Sequence, residues 1–202
     1  MVFIPAFLVL MYFPQKAKEP GPFQVAQKPE KPKPKELVKI YSIVRSHRPD
    51  ISDTEGWRVA EAILEQSSKH SFDPMLVLAM IRVESGFQYA VVSPSGARGI
   101  MQLLPGVAKA VLKEISPVQD GKSQQFSPEY LDDPILNIKI GVSYLHNLRK
   151  SFRNLNLALI AYNLGPTEIR NRLENDIEFS DEYSSAVLTA YQNYKNTKHP
   201  TF

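Results

Sequence analysis

The 202-residue sequence contains no cysteine. Disulfides, thiol nucleophiles and cysteine-held zinc are thereby excluded. Its four histidines, His47, His70, His146 and His199, are scattered, with no HExxH and no paired ligand spacing, so no metal and no cofactor is expected. There is no basic helix and no zinc-finger spacing, so no nucleic-acid partner is expected. No stretch alternates apolar and polar residues for long enough to read as a strand of a sheet. Long apolar runs are also missing. Residues 1–14, "MVFIPAFLVLMYFP", are uncharged and apolar, but as a helix they would span only about 21 Å against a bilayer core of about 30 Å.

What remains is a chain that is 43% hydrophobic and 22% charged, enough for one folded domain plus a tail. The net charge of +3 is local. Residues 15–36 carry six Lys and three Glu, while the other 18 basic and 18 acidic residues cancel. The basic character therefore belongs to a spacer and not to a binding face. That spacer contains "KPEKPKPK", which supports neither helix nor sheet and reads as an extended linker. The preceding residues 1–14 have no Lys or Arg before them and hold a proline at position 5. They read either as a loose apolar end or as a signal or membrane anchor. The second reading is favoured, because such a run ahead of a polar linker has no core to join.

From residue 37 to 202 the pattern is helical. Apolar residues recur at 37, 40, 41 and 44, and again at 59, 60, 63 and 64. Asp73–Pro74 and Asp133–Pro134 are helix starts, with the aspartate as N-cap and the proline at the first helical position. "LNLALIAYNLG" ends on Gly165, and Pro166 opens the next helix. Val91 and Val92 are placed in a short hairpin. The expected fold class is all-α.

The helix from Pro74 carries the chemistry. It is apolar almost all round, and Glu84 near its end shares a face with Val77, Met80 and Ile81. Burial raises the pKa of such a carboxyl, and so does the negative end of the helix dipole. A carboxyl that is protonated near neutral pH suits a general acid for glycosidic cleavage. The competing reading is an ion pair with Arg82 or Arg98 that merely closes the helix. A turn-rich loop follows, "SGFQYAVVSPSGARGIMQLLPG", and returns the chain to Gln102. That amide suits an N-acetyl group or sugar hydroxyls; a solvated glutamine is the alternative. In "AYNLGP", Tyr162 and Asn163 occupy the last turn before Gly165. Tyr162 can stack on a sugar or bond the acid, or it can be a core ring.

In order, "ESGFQ", "SPSGARGIMQLLPG", "LDDPILNIKIGVSYL" and "AYNLGP" resemble the catalytic domain of the soluble lytic transglycosylase family, with its lysozyme-like fold, over residues 56–195. The resemblance implies cleavage of the β-1,4 bond between N-acetylmuramic acid and N-acetylglucosamine in peptidoglycan, leaving a 1,6-anhydro ring. It implies Glu84 as catalytic acid and base. Substrate contacts are implied for Ser85, Ser93, Met101, Gln102, Tyr162, Asn163 and Tyr183, the last close to the acid. It implies glycan strands as the partner. The implied place of action is the bacterial cell envelope, with the chain periplasmic and either membrane-anchored or secreted. Three positions depart from the family pattern: Val107 stands for a usual threonine, Leu164 for a small residue and Thr167 for a frequent glycine. A hydrolytic muramidase and a glycan-binding scaffold without turnover are the rival readings on the same fold. The loop after Glu84 holds no second acid, and the next in sequence is Glu114; Asp132 and Glu168 are distant candidates to fold inward.

Overall fold

The computed structural model describes residues 34–116 and 126–197. The expected anchor and nearly all of the linker lie outside these residues. Among those described there are eight α-helices and no strand: α1 (Lys35–His47), α2 (Asp53–His70), α3 (Pro74–Ser85), α4 (Pro105–Ile115), α5 (Pro134–Phe152), α6 (Leu155–Leu164), α7 (Pro166–Glu174) and α8 (Glu182–Asn196). A single 3-10 segment, Pro128–Asp132, precedes α5. No described helix is long and apolar enough to cross a membrane. Helix α1 begins two residues inside the expected linker, with Leu37 its first buried side chain.

The helix boundaries follow from side-chain chemistry. Ser52, Asp73, Asp133 and Asn154 each accept a backbone N–H of the first turn that follows them. Helix α3 is the central element. Every residue from Pro74 to Ile81 is buried, as its apolar circumference demands. It lies against α8, α2 and α1, while α5 lies against α2 and α6. Gly86, at φ 58°, stops α3 immediately after the turn that carries Glu84.

The loop between α3 and α4 is held by backbone bridges, not by a regular hairpin. Val92 pairs with Arg98 and Arg98 with Leu103, each as an isolated antiparallel bridge. One buried side chain staples this loop to α5. Asn137 accepts the Met101 N–H at 2.9 Å and donates to the carbonyls of Arg98 and Leu131 at 3.0 and 2.9 Å. Gly99 makes room for it: a Cβ there would sit 2.1 Å from both Asn137 Nδ2 and Leu131 O. Its φ of 84° also favours glycine. Arg98 then grips Asp132 with two 2.7 Å hydrogen bonds, tying the loop to the 3-10 segment.

Candidate active site

Glu84 stands in the last turn of α3, half-buried, at one edge of a cleft of about 340 Å³. The returning loop lines the cleft with Ser93, Ser95 and Gln102. Helix α5 contributes Tyr144, and the α6–α7 corner contributes Tyr162, Asn163 and Leu164. Burial pushes the Glu84 carboxyl up from 4.5 to about 7, with a hydrogen bond from Tyr183 opposing the rise. Tyr183, reaching over from α8, donates its hydroxyl to Glu84 Oε1. Neither ion pair considered from the sequence forms. Arg98 is taken by Asp132, and Arg82 lies 3.3 Å from His47 Nε2. Asp132 and Glu168 do not reach the cleft; Glu168 pairs with Arg172 at 2.6 Å. Among the described residues that line the cleft, Glu84 is the one carboxylate. No described cluster of three or more His, Cys, Asp or Glu could hold a metal ion.

The other polar groups are constrained in what they can offer. Gln102 sits at φ 47°, in the left-handed region, a strained backbone for a residue with a side chain. Its Nε2 donates to the carbonyls of Val91 at 3.0 Å and Gly99 at 2.9 Å. Both partners are acceptors, so the amide orientation is fixed and Oε1 is the group left for a ligand. Gln102 can therefore accept from a ligand's donor. Ser93 Oγ accepts the Ala97 N–H at 3.0 Å and lies 2.9 Å from Ser95 Oγ. Asn163 is exposed on the cleft, and its amide has no partner among the described residues.

Residues 61–185, more than half of the chain, match the family described as Transglycosylase SLT domain. The chain belongs to this family. Over 99 residues it is 41% identical to the soluble lytic murein transglycosylase of Escherichia coli (strain K12), covering 48% of this chain and 15% of that protein. Over 114 residues it is 35% identical to a membrane-bound lytic murein transglycosylase C of Photorhabdus laumondii, covering 56% of this chain and 30% of the relative. Its fold resembles the crystal structure of the 70 kDa soluble lytic transglycosylase from Escherichia coli, with a TM-score of 0.58, 29% identity and coverage of 78% of this chain and 28% of that one. It also resembles a complex of the 70 kDa soluble lytic transglycosylase with bulgecin A, with a TM-score of 0.60 and 28% identity, over 82% of this chain and 31% of that chain. This SLT chain thus spans less than a third of each of these proteins.

Within the SLT domain the structure redirects three of the expected substrate contacts, since Ser85, Met101 and Tyr183 do not line the cleft and Tyr183 gives its hydroxyl to Glu84. Ser85 turns inward, donating to Ile100 O at 2.7 Å, and does not line the cleft. It is a clamp between α3 and the loop. Met101 has no exposed surface; its sulfur packs against Gly141, where a Cβ would lie 2.6 Å from it. What Met101 contributes is its carbonyl, which accepts the Tyr162 hydroxyl at 3.0 Å. Tyr162 therefore bonds the loop, not the acid. Two of the departures from the family pattern, Val107 and Leu164, do line the cleft. Leu164 is 41% exposed and Leu104 beside Val107 is 44% exposed, giving the cleft an apolar margin. The sequence reading missed Ser95 and Tyr144 as cleft residues and Asn137 as the loop's staple. Ser95 had a visible signal in its position two residues after Ser93. Tyr144 and Asn137 fall in the apolar stripe of α5 and look like core.

The Tyr183 contact has a measurable consequence. Its hydrogen bond lowers the Glu84 pKa, so Tyr183→Phe is expected to move the carboxyl's titration midpoint above about 7. NMR titration of the Glu84 carboxyl carbon in the two proteins reads this directly. An unchanged or lowered midpoint would show that the phenol does not act on the acid.

Proposed function

We propose that this SLT chain is a peptidoglycan lytic transglycosylase, with Glu84 serving in turn as acid and base. The observation that carries the reading is the single carboxylate of the cleft, held near neutrality by burial. A two-carboxylate hydrolase needs a second acid beside the first. Here the substrate's own C6 hydroxyl supplies the second nucleophile. Protonated Glu84 gives its proton to the oxygen bridging N-acetylmuramic acid and N-acetylglucosamine, and the C1–O bond breaks. The muramic acetamido carbonyl stabilises the cationic C1. Glu84, now ionised, takes the proton of the C6 hydroxyl as O6 bonds to C1 and closes the 1,6-anhydro ring. Glu84 ends protonated, and no water is consumed. Ser93, Gln102, Tyr162 and Asn163 hold the sugar; Ser85 and Met101 act only through the loop.

The relatives named as soluble and as membrane-bound murein transglycosylases support glycan strands as the substrate and the cell envelope as the place of action. Residues 1–14 fit a signal or membrane anchor, and the Lys- and Pro-rich residues 15–34 a tether between it and the catalytic domain, which starts with α1 at Lys35. The test is mass spectrometry of muropeptides released from sacculi by the purified chain. Products lighter than the hydrolytic ones by one water, with no new reducing ends, are expected. Products with free reducing ends would make the enzyme a muramidase. Binding to sacculi with no release would make it a scaffold.

A further inference from the structure

Two tyrosines line the cleft, Tyr144 and Tyr162, a third, Tyr183, reaches its acid from behind the lining, and their hydroxyls are not equivalent. Tyr183 spends its hydroxyl on Glu84 and Tyr162 on the Met101 carbonyl. Tyr144 lines the same cleft from α5, and its hydroxyl has no partner among the described residues. That oxygen is not sealed in the interior, unlike the unpartnered hydroxyl of Tyr89. The Tyr144 ring is fixed by packing. It touches both hydrophobic clusters and lies 5.2 Å from the Tyr162 ring, tilted by 47°. A phenylalanine would fill that space equally well, so the packing does not call for the hydroxyl. Burial pushes the phenol up from its usual value, which keeps it a donor throughout the neutral range. A half-desolvated hydroxyl is costly without a partner and gains when a ligand supplies one.

We propose that Tyr144 is a substrate-binding residue, its hydroxyl donating to a hydroxyl or carbonyl oxygen of the N-acetylated glycan. The assignment rests on the cleft being the glycan site. It complements Gln102, which offers only an acceptor there. The cleft then presents one oriented donor and one oriented acceptor, the pair that a sugar acetamide or vicinal hydroxyls can satisfy together.

The test uses the full chain and a tetrasaccharide of alternating N-acetylglucosamine and N-acetylmuramic acid. On a Glu84→Gln background, Tyr144→Phe is expected to weaken binding ~10-fold, the size of one hydrogen bond. In the active chain it is expected to raise KM by a similar factor with kcat nearly unchanged. The Glu84 titration midpoint is expected to stay in place. Equal affinity and equal KM in the two proteins would overturn the proposal, and so would a moved Glu84 midpoint, which would mean that Tyr144 acts through the acid. If the parent neither binds nor cleaves the tetrasaccharide, the glycan reading of the cleft fails, and this assignment fails with it.

Discussion

Glu84→Gln is expected to lower the proposed release of glycan fragments from sacculi on the order of 10³-fold, within the range that a positioned acid–base group supplies. The same substitution is expected to stabilise the fold at and above neutral pH. The two effects share a cause. The buried carboxyl has a folded-state pKa of about 7 against 4.5 for the free group, so the folded protein binds more protons than the unfolded chain between these values. Stability is therefore lost as pH rises from 4.5 through about 7, and is flat beyond. The loss across that window amounts to about 3 kcal/mol, since each tenfold change in proton affinity is worth about 1.36 kcal/mol. Glutamine has no proton to lose and keeps the neutral-form contacts. Urea unfolding of parent and variant from about pH 4 to about pH 9 checks this. The curves should diverge only through the titration window, with the variant the more stable above it. A variant that clears sacculi at the parent's rate would remove Glu84 from the chemistry. Parallel stability curves would show that the carboxyl is not strained by its burial.

Asn137→Ala is expected to destabilise the domain by about 3–5 kcal/mol, a cost that belongs to the breaking of a buried hydrogen-bond network. The substitution leaves three backbone groups without their partner: the Met101 N–H and the carbonyls of Arg98 and Leu131. The Met101 N–H and the Leu131 carbonyl are sealed from solvent, because Asn137, Met101 and Leu131 are completely buried, while the Arg98 carbonyl is only partly so. It also opens a small void beneath Gly99. The loop that carries Gln102 should then exchange its amide hydrogens faster than the ends of α5 do. Chemical unfolding gives the energy and hydrogen exchange gives the location. A loss below about 1 kcal/mol, less than one unsatisfied buried group should cost, would mean that the staple is replaced by other contacts.

The helices were largely legible in the sequence because their signals are local. Asp73–Pro74 and Asp133–Pro134 start helices for reasons confined to three or four residues. The apolar circumference of α3 also announced the burial of Glu84. The directions of side chains in the returning loop were not legible. Ser85 and Gln102 are both polar residues flanking the same glycine-rich loop, yet one turns to Ile100 O and the other lines the cleft. That difference depends on bridges from Val92 to Arg98 and from Arg98 to Leu103, which no period in the sequence encodes. Asn137 and Tyr144 were hidden for the opposite reason: both obey the helical stripe of α5, and only the neighbours brought by folding distinguish a staple or an open hydroxyl from a core contact.

Gly165 is the whole connection between α6 and α7, at once the end of one and the start of the other. Its φ of 90° denies the position to residues with a side chain, and Pro166 fixes the next torsion. Such an elbow has no slack. Asn163 and Leu164 cannot swing outward unless two helices pivot as a single lever against the core. A ligand of the cleft must consequently enter a groove whose far bank is already set, and the free and occupied proteins should superpose along that bank.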